Sequence, residues 1–425
     1  MRNWYNDMGR PSRGLAPMVD GSDLPYRLLV RRYGVQLTWT PMYNAPQLQT
    51  NEKLRKTLIS ELHTGKDCDR PLVLQLAGHD PAIVAMAYDS LAQEAGDCFD
   101  IVELNMGCPQ AVALRGHYGA WLMDKPDIYL KVLGRLVTIA HGRHHVAVKT
   151  RIWPTREETL KMCTQIADIG VDMLTLHGRL RTQRTGNGVG PPNWEMLGEV
   201  FGELRRQFPS LVLFANGGVW SRESHERLLA ISRADGTLAG SQILENAALY
   251  NSVAGLAGVD GSTLSSDLKE QLRLAEEKTS KTISLVPCTY KPSSIFLSFD
   301  LEAPVYSEVV KGWTPPLSSS HPITVTIGDS IERRLERIYL ALEYIELARA
   351  HIGYITPSHI VSHTMRLVGR ELMAANVDLR TSLTENLTPF VEYLERAQAV
   401  VVELCARFTQ GRCCLPEPVE SQAES

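Results

Sequence analysis

The feature that most restricts the fold is a rhythm. Between residues 13 and 250 a short apolar run is followed by an amphipathic segment, about eight times over. The runs are GLAPMV (14–19), VQLTWTPM (35–42), PLVLQL (71–76), FDIVELN (99–105), VAVKTR (146–151), DMLTLHG (172–178), LVLFANG (211–217) and DGTLAG (235–240). Nearly continuous apolar runs of this length are what parallel strands, buried on both faces, require. The segments between them carry helix punctuation. Asp80 and Pro81 read as N-cap and first helical residue, with Gly96 as the stop. Thr155 and Glu158 form a capping box on a helix closed by Gly170, and Asn193 opens another that ends near Pro209. Eight such units in about 240 residues are the arithmetic of a (β/α)8 TIM barrel. A doubly wound sheet is the competing architecture, and it carries a glycine-rich first turn. Here that turn is APMVDGSD, with Gly21 alone, and no G-x-G-x-x-G follows any strand.

The rhythm stops near 254, which bounds the barrel at 1–254. Residues 255–329 are rich in Ser, Thr and Pro (YKPSS, TPPLSSSHP) and read as an insertion of low order, with one charged helix over about 264–279. From 330 to 412 the pattern turns helical. Leu335, Ile338, Leu342 and Ile345 fall on one face, and 359–377 and 386–408 repeat the spacing. This predicts a small C-terminal helical bundle, followed by a disordered tail over 413–425.

Charge and cysteine usage exclude several classes. Forty-four basic residues against 48 acidic ones give a net charge of −4, which is not the footprint of a general nucleic-acid binder, although a local basic groove is compatible with it. The segment 331–412 holds ten arginines, no lysine and ten acids. A solvated helical surface with i,i+4 pairs and a phosphate-gripping face both fit that count. His359, His363 and Arg366 share one helical face and are the first candidates for such a surface. Eight cysteines without a C-x-x-C pair predict reduced thiols and no metal site. No apolar run approaches the ~18 residues of a membrane span. The start, MRNWYNDMGRPSRG, lacks the apolar stretch of a secretory signal. The expectation is a cytoplasmic or nuclear protein, with a mitochondrial address left open, and a monomer is compatible with everything in the chain.

In a barrel the chemistry sits where the strands end. The first strand ends in Pro17 and Met18, the third offers Gln75, and the fourth ends in Asn105 and Cys108. The fifth ends in Lys149 and Arg151, the sixth in His177 and Arg179, the seventh in Asn216, Gly217 and Gly218, and the eighth in Gly240 and Ser241. Singly, each has an ordinary structural reading: a small buried thiol, an ion-pair arm, a tight turn. Together they suit a flavin. Its reduced ring is anionic and needs a cation, which Lys149 supplies. Gln75 can both donate to and accept from the ring edge. Amides around Asn216–Gly218 and after the eighth strand can hold a phosphate. A Cys108 thiol, protonated at neutral pH, can act as a general acid.

ELNMGCPQAVALRGHYGAWLM (103–123) resembles the signature of the tRNA-dihydrouridine synthases, with N-x-G-C-P-Q and R-G-H-Y-G-A as its specific parts. APMVDGSDLPYRLLVRRYG (16–34), TPMYNAPQL (40–48), LQLAGHDP (74–81), TLHGRLRTQ (175–183) and FANGG (214–218) fit in the same order. The likeness is greatest to the eukaryotic branch acting on D-loop positions 16 and 17. The resemblance implies an FMN enzyme fed by NADPH or NADH that reduces the C5=C6 bond of a tRNA uridine. Hydride would go to C6, and Cys108 would give the proton to C5. It places Lys149 and His177 around the flavin and Asn105 near the uracil. Arg151 and Arg179 would meet flavin phosphate or RNA, and the helical domain would bind tRNA. Gly240-Ser241-Gln242-Ile243 departs from the family pattern after the eighth strand. Two other readings stand beside it: an FMN barrel acting on a free pyrimidine, and a non-catalytic tRNA-binding protein.

Overall fold

The structure is a computed structural model and describes residues 3–183, 190–250, 331–385 and 389–409. The segment 255–329 and the tail 413–425 lie outside the described residues. The chain forms two compact units, Met1–Gly240 and Ser241–Ser425. Among the described residues no helix is long and apolar enough to cross a membrane.

The first unit is a parallel barrel of eight staves. Its strands are β1 (Arg13–Leu15), β2 (Thr38–Trp39), β3 (Tyr43–Asn44), β4 (Leu72–Ala77), β5 (Ile101–Asn105), β6 (His145–Ile152), β7 (Met173–Leu180), β8 (Val212–Asn216) and β9 (Gly236–Ala239). The pairing runs β1-β9-β8-β7-β6-β5-β4-β2, and β3 prolongs the second stave by pairing with the end of β4. The ring closes between β1 and β2, where Gly14 bridges Leu37 and the Leu15 amide donates to the Leu37 carbonyl at 3.0 Å. Each expected strand region contains one of these staves, and the predicted caps are present. Asp80, Thr155 and Asn193 each accept from amides of the first helical turn that follows them.

Side chains two apart along a strand share a face. The inward face therefore reads in layers. Val73, Ile101, Ala147, Met173, Val212, Phe214 and Leu238 fill the lower interior with Leu37 and Trp39. Two residues further along come Gln75 on β4, Glu103 on β5, Lys149 on β6 and Thr175 on β7. The helix Asn3–Asp7 plugs the bottom. Tyr5 is buried, meets Phe214 edge-on and donates its hydroxyl to the Pro11 carbonyl at 2.9 Å; Trp4 stacks on His145 at 4.2 Å.

One buried hub fixes the first loops. Arg27 donates to Asp69 at 2.6 Å, to Glu61 at 2.7 Å and to the Ser22 carbonyl at 2.6 Å. Arg31 takes the other Asp69 oxygen at 2.7 Å and reaches Thr38 on β2 at 2.6 Å. Burial works against the Asp69 charge, but the two guanidiniums outweigh it and hold its pKa below the ordinary value.

The second unit carries helices Ile331–Ala350, Pro357–Val368, Arg370–Ala375, Val377–Thr384 and Val391–Thr409. Ile338, Leu342 and Ile345 are buried as their spacing predicts. The single helix expected over 359–377 is instead broken. Gly369, at φ +104°, turns the chain, and Arg337 seals the break by donating to the Leu367 and Arg366 carbonyls at 2.9 and 3.0 Å. A buried cation at a helix C-terminus satisfies both the orphan carbonyls and the dipole.

His225, on the helix Arg222–Ser232, pairs with Thr237 Oγ1 of β9 at 2.8 Å. Burial, with Arg13 and Arg222 adding to it, pushes its pKa down to about 3. The unfolded chain takes up this proton near pH 6.5 and the folded one does not. The stability tied to this group is therefore complete above pH 6.5 and falls by about 1.4 kcal/mol per unit as acid is added. His225→Gln should remove that slope between pH 6 and 4, as read by urea unfolding at each pH.

Candidate active site

The site grows from the last inward residue of each stave. In register, Asn105 on β5 sits beside Lys149 on β6, and Arg151 beside His177 on β7, itself beside Asn216 on β8. Four strands thus bring predicted groups to one end of the barrel.

Cys108 follows β5 and is half-buried beside Ala77, Ala113, Tyr118 and Met42. Its position is set by main chain. The Gly107 and Cys108 amides donate to Asn105 Oδ1 at 3.1 and 3.0 Å, and the Cys108 carbonyl accepts from Ala120 at 2.9 Å. Gly119 makes this closeness possible: it stands at φ +64°, and a Cβ there would lie 2.7 Å from the Cys108 carbonyl oxygen. The thiol lies within electrostatic reach of Lys149 and Arg151.

The Lys149 ammonium makes no hydrogen bond or ion pair to a described residue; its carbonyl accepts from the Met106 amide at 2.7 Å. Burial pulls its pKa down, Glu103 pushes it back up, and Arg151 lowers it again. Glu103 is wholly buried, and burial raises its pKa against the influence of Lys149. Its Oε1 accepts from Trp39 Nε1 at 2.9 Å and from Gln75 Nε2 at 2.7 Å. Glu103 Oε2 and Thr175 Oγ1 are buried with no hydrogen-bond partner among the described residues. Gln75 is also wholly buried, and its Oε1 accepts from Asn105 Nδ2 at 2.9 Å. It keeps one N–H and one lone pair for anything else.

His177 is held neutral. Burial and the neighbouring Lys149, Arg151 and Arg179 drive its pKa well below the ordinary value. Its Nδ1 accepts from the Arg179 amide at 3.1 Å, which assigns the proton to Nε2. Gly217 and Gly218 follow β8 at φ +105° and +81°. A Cβ on Gly217 would lie 2.9 Å from His177 Cε1, so a bare backbone is required there.

Other candidates are committed to holding loops. Arg151 donates to the carbonyls of Gly107 at 2.6 Å, Leu180 at 3.1 Å and Gln183 at 3.2 Å, tying the cysteine loop to the segment after β7. Arg179 donates to the Gly190 carbonyl at 3.0 Å. Asn216 turns its Nδ2 to the Leu238 carbonyl at 2.9 Å. Pro17 and Met18 are half-buried, and Met18 anchors the turn after β1 through Ser22 Oγ, at 3.0 Å to both its amide and its carbonyl. Gly240 ends the first unit, and the exposed Ser241 opens the second.

One of the three residues chosen on the helical face, His363, is corrected. His363 is wholly buried against Tyr344, with ring centroids 4.6 Å apart. His359 Nδ1 accepts from the Thr356 amide at 3.0 Å and so caps its own helix. His359 and Arg366 both remain half-exposed. Glu103 was missed, although it stands two residues before Asn105 on the same strand face. Period two alone marks it as an acid inside the barrel.

A family model described as dihydrouridine synthase (Dus) matches residues 14–287, which carries the match past β9 into the segment expected to be an insertion. Over 252 residues the chain is 36% identical to a tRNA-dihydrouridine(16/17) synthase of Saccharomyces cerevisiae, covering 59% of this chain and 56% of that protein. A protein of the same name from Schizosaccharomyces pombe is 35% identical over 250 residues, covering 59% of each. A mouse protein named as similar to that enzyme is 34% identical over 250 residues, covering 58% of this chain and 49% of that one. The chain spans about half to three-fifths of the length of these relatives. It belongs to the dihydrouridine synthase family.

Proposed function

We propose that the chain is a tRNA-dihydrouridine synthase that reduces the C5=C6 bond of a D-loop uridine, at position 16, 17 or both. FMN is the flavin and NADPH or NADH the reductant. The observation that carries this reading is the seating of Cys108. A half-buried thiol stands at a barrel mouth, fixed by the Asn105 latch, with the charges of Lys149 and Arg151 in reach. The likeness to relatives named for the 16/17 activity, with NAD(P)(+) in their names, supports the substrate and the reductant.

The donor set fits a flavin mononucleotide. Lys149 is a half-buried cation without a carboxylate in ion-pair range among the described residues, as an anionic ring edge requires. His177 offers a neutral Nε2–H, and Gly217 and Gly218 offer backbone that a phosphate can approach. Gln75 has one donor and one acceptor left for the ring. When bound, the flavin supplies hydride to C6 of the uracil. Cys108 supplies the matching proton to C5, and Lys149 and Arg151 stabilise the thiolate left behind until solvent reprotonates it. Overall, uridine, NAD(P)H and a proton become dihydrouridine and NAD(P)+. The target base must leave the stack to reach this mouth, which is cheapest in a loop.

The helical unit supports an RNA substrate by a different surface from the one first chosen. A cleft of about 640 Å³ is lined by Val361, Met365, Arg370, Arg380 and Tyr393, with no acid among its lining residues. Arg370 and Arg380 are exposed and have no acidic partner among the described residues. Free guanidiniums beside an aromatic ring suit phosphate and a stacked base.

Cys108→Ala should keep its flavin and still oxidise NADPH, but form dihydrouridine about a hundredfold more slowly. Mass spectrometry of nuclease-digested tRNA reads this, and an undiminished rate removes the proton-donor role. Wild-type activity on free uridine but not on tRNA would move the assignment to the free-pyrimidine reading. Joint replacement of Arg370 and Arg380 by Ala should weaken tRNA binding and lower the slope of log K against log salt by about one per arginine. Filter binding across a salt series checks it.

A further inference from the structure

The hydrogen bonds beneath the barrel mouth form a chain that must reverse direction once. At one end stands Trp39 Nε1–H, which can only donate. At the other stand the main-chain amides of Gly107 and Cys108, which also can only donate. Two carboxamides lie between, each with one donating and one accepting end. The two amides occupy Asn105 Oδ1, so Asn105 Nδ2 faces Gln75 and requires its oxygen. That turns Gln75 Nε2 toward residue 103. Residue 103 must therefore accept from both sides, and Glu103 does so with one oxygen, at 2.9 Å from Trp39 and 2.7 Å from Gln75. Its other oxygen is buried with no partner among the described residues.

The second oxygen has an electrostatic neighbour. The charged and titratable groups around Lys149 are Glu103 on β5, Cys108 just after it, Arg151 on β6 and His177 on β7. Glu103 is the carboxylate in that set. Burial and the Arg151 guanidinium favour the uncharged amine, and a buried acid with an unpaired oxygen opposes them.

We propose that Glu103 is the positioning residue of this site: its Oε1 fixes the direction of the Gln75 and Asn105 amides and so seats Cys108, while the charge carried by its free Oε2 keeps Lys149 cationic. This deepens the function proposed above and rests on it only for the roles of Cys108 and Lys149.

Two substitutions separate the two tasks, in the full chain as purified. Glu103→Gln retains an accepting oxygen for Trp39 and Gln75 but removes the charge. Hydrogen exchange at the Gly107 and Cys108 amides should stay within about twofold of wild type. Acylation of the Lys149 amine at pH 7, read by mass spectrometry, should rise about tenfold, the change for one unit of pKa. Glu103→Leu removes the acceptor as well, so exchange at both amides should rise about tenfold and Cys108 should alkylate faster. Should that variant not fold, Gln75→Leu cuts the chain one link further on and is read in the same way. Wild-type exchange in the leucine variant, or unchanged Lys149 acylation in Glu103→Gln, overturns the proposal. Neither readout needs an RNA substrate. A wild-type protein inactive on tRNA would therefore sink the proposed function and leave this result standing.

Discussion

The interior of a closed parallel barrel is shut off from water along its whole wall. A polar group placed there must find its partner on a neighbouring stave or carry an uncompensated desolvation cost. This chain meets the constraint by dividing the interior. The lower half is hydrocarbon, closed beneath by Tyr5. The upper half is polar, and a run of its members bonds to one another: Trp39 to Glu103, Gln75 to Glu103, Asn105 to Gln75. Cys108 inherits its place from that division, because the last member of the polar layer is the one that latches its amide.

The same division accounts for the charges. An acid and an amine share the polar layer, and burial pushes each toward its neutral form. Replacing such groups with hydrocarbon often costs a fold little. Their presence at a strand end, beside a thiol, argues for chemistry rather than stability. The Arg27 hub shows the contrasting case. There two arginines and two acids pair with one another, away from the strand ends, and the result is a joint between the turn after β1 and the helices behind it.

How much of this was readable in advance follows from geometry. The staves were legible because strands covered on both faces leave an unmistakable apolar run. Their polar ends were legible because a barrel concentrates chemistry at one rim. Which of those groups stay free was not, since Arg151 and Asn216 bond to carbonyls that no local pattern reveals. Glu103 was hidden by attention to the last residue of each strand. His363 shows the limit of helical spacing. The same period marks a solvent face and a core face, and only the partner across it, here Tyr344, decides. The break at Gly369 was written in a single glycine, but its seal comes from Arg337, 32 residues earlier.

The Tyr5 hydroxyl also reaches the Asp235 carbonyl, at 3.3 Å, and β1 pairs with β9. The floor and the closing seam of the barrel thus both join the start of the chain to a segment some 230 residues on. During synthesis on the ribosome, the first strand has no partner on one edge until the ninth has emerged. Until then the half-built sheet exposes apolar surface, and local helices form well before the ring can shut. The final stave completes floor and wall in one step.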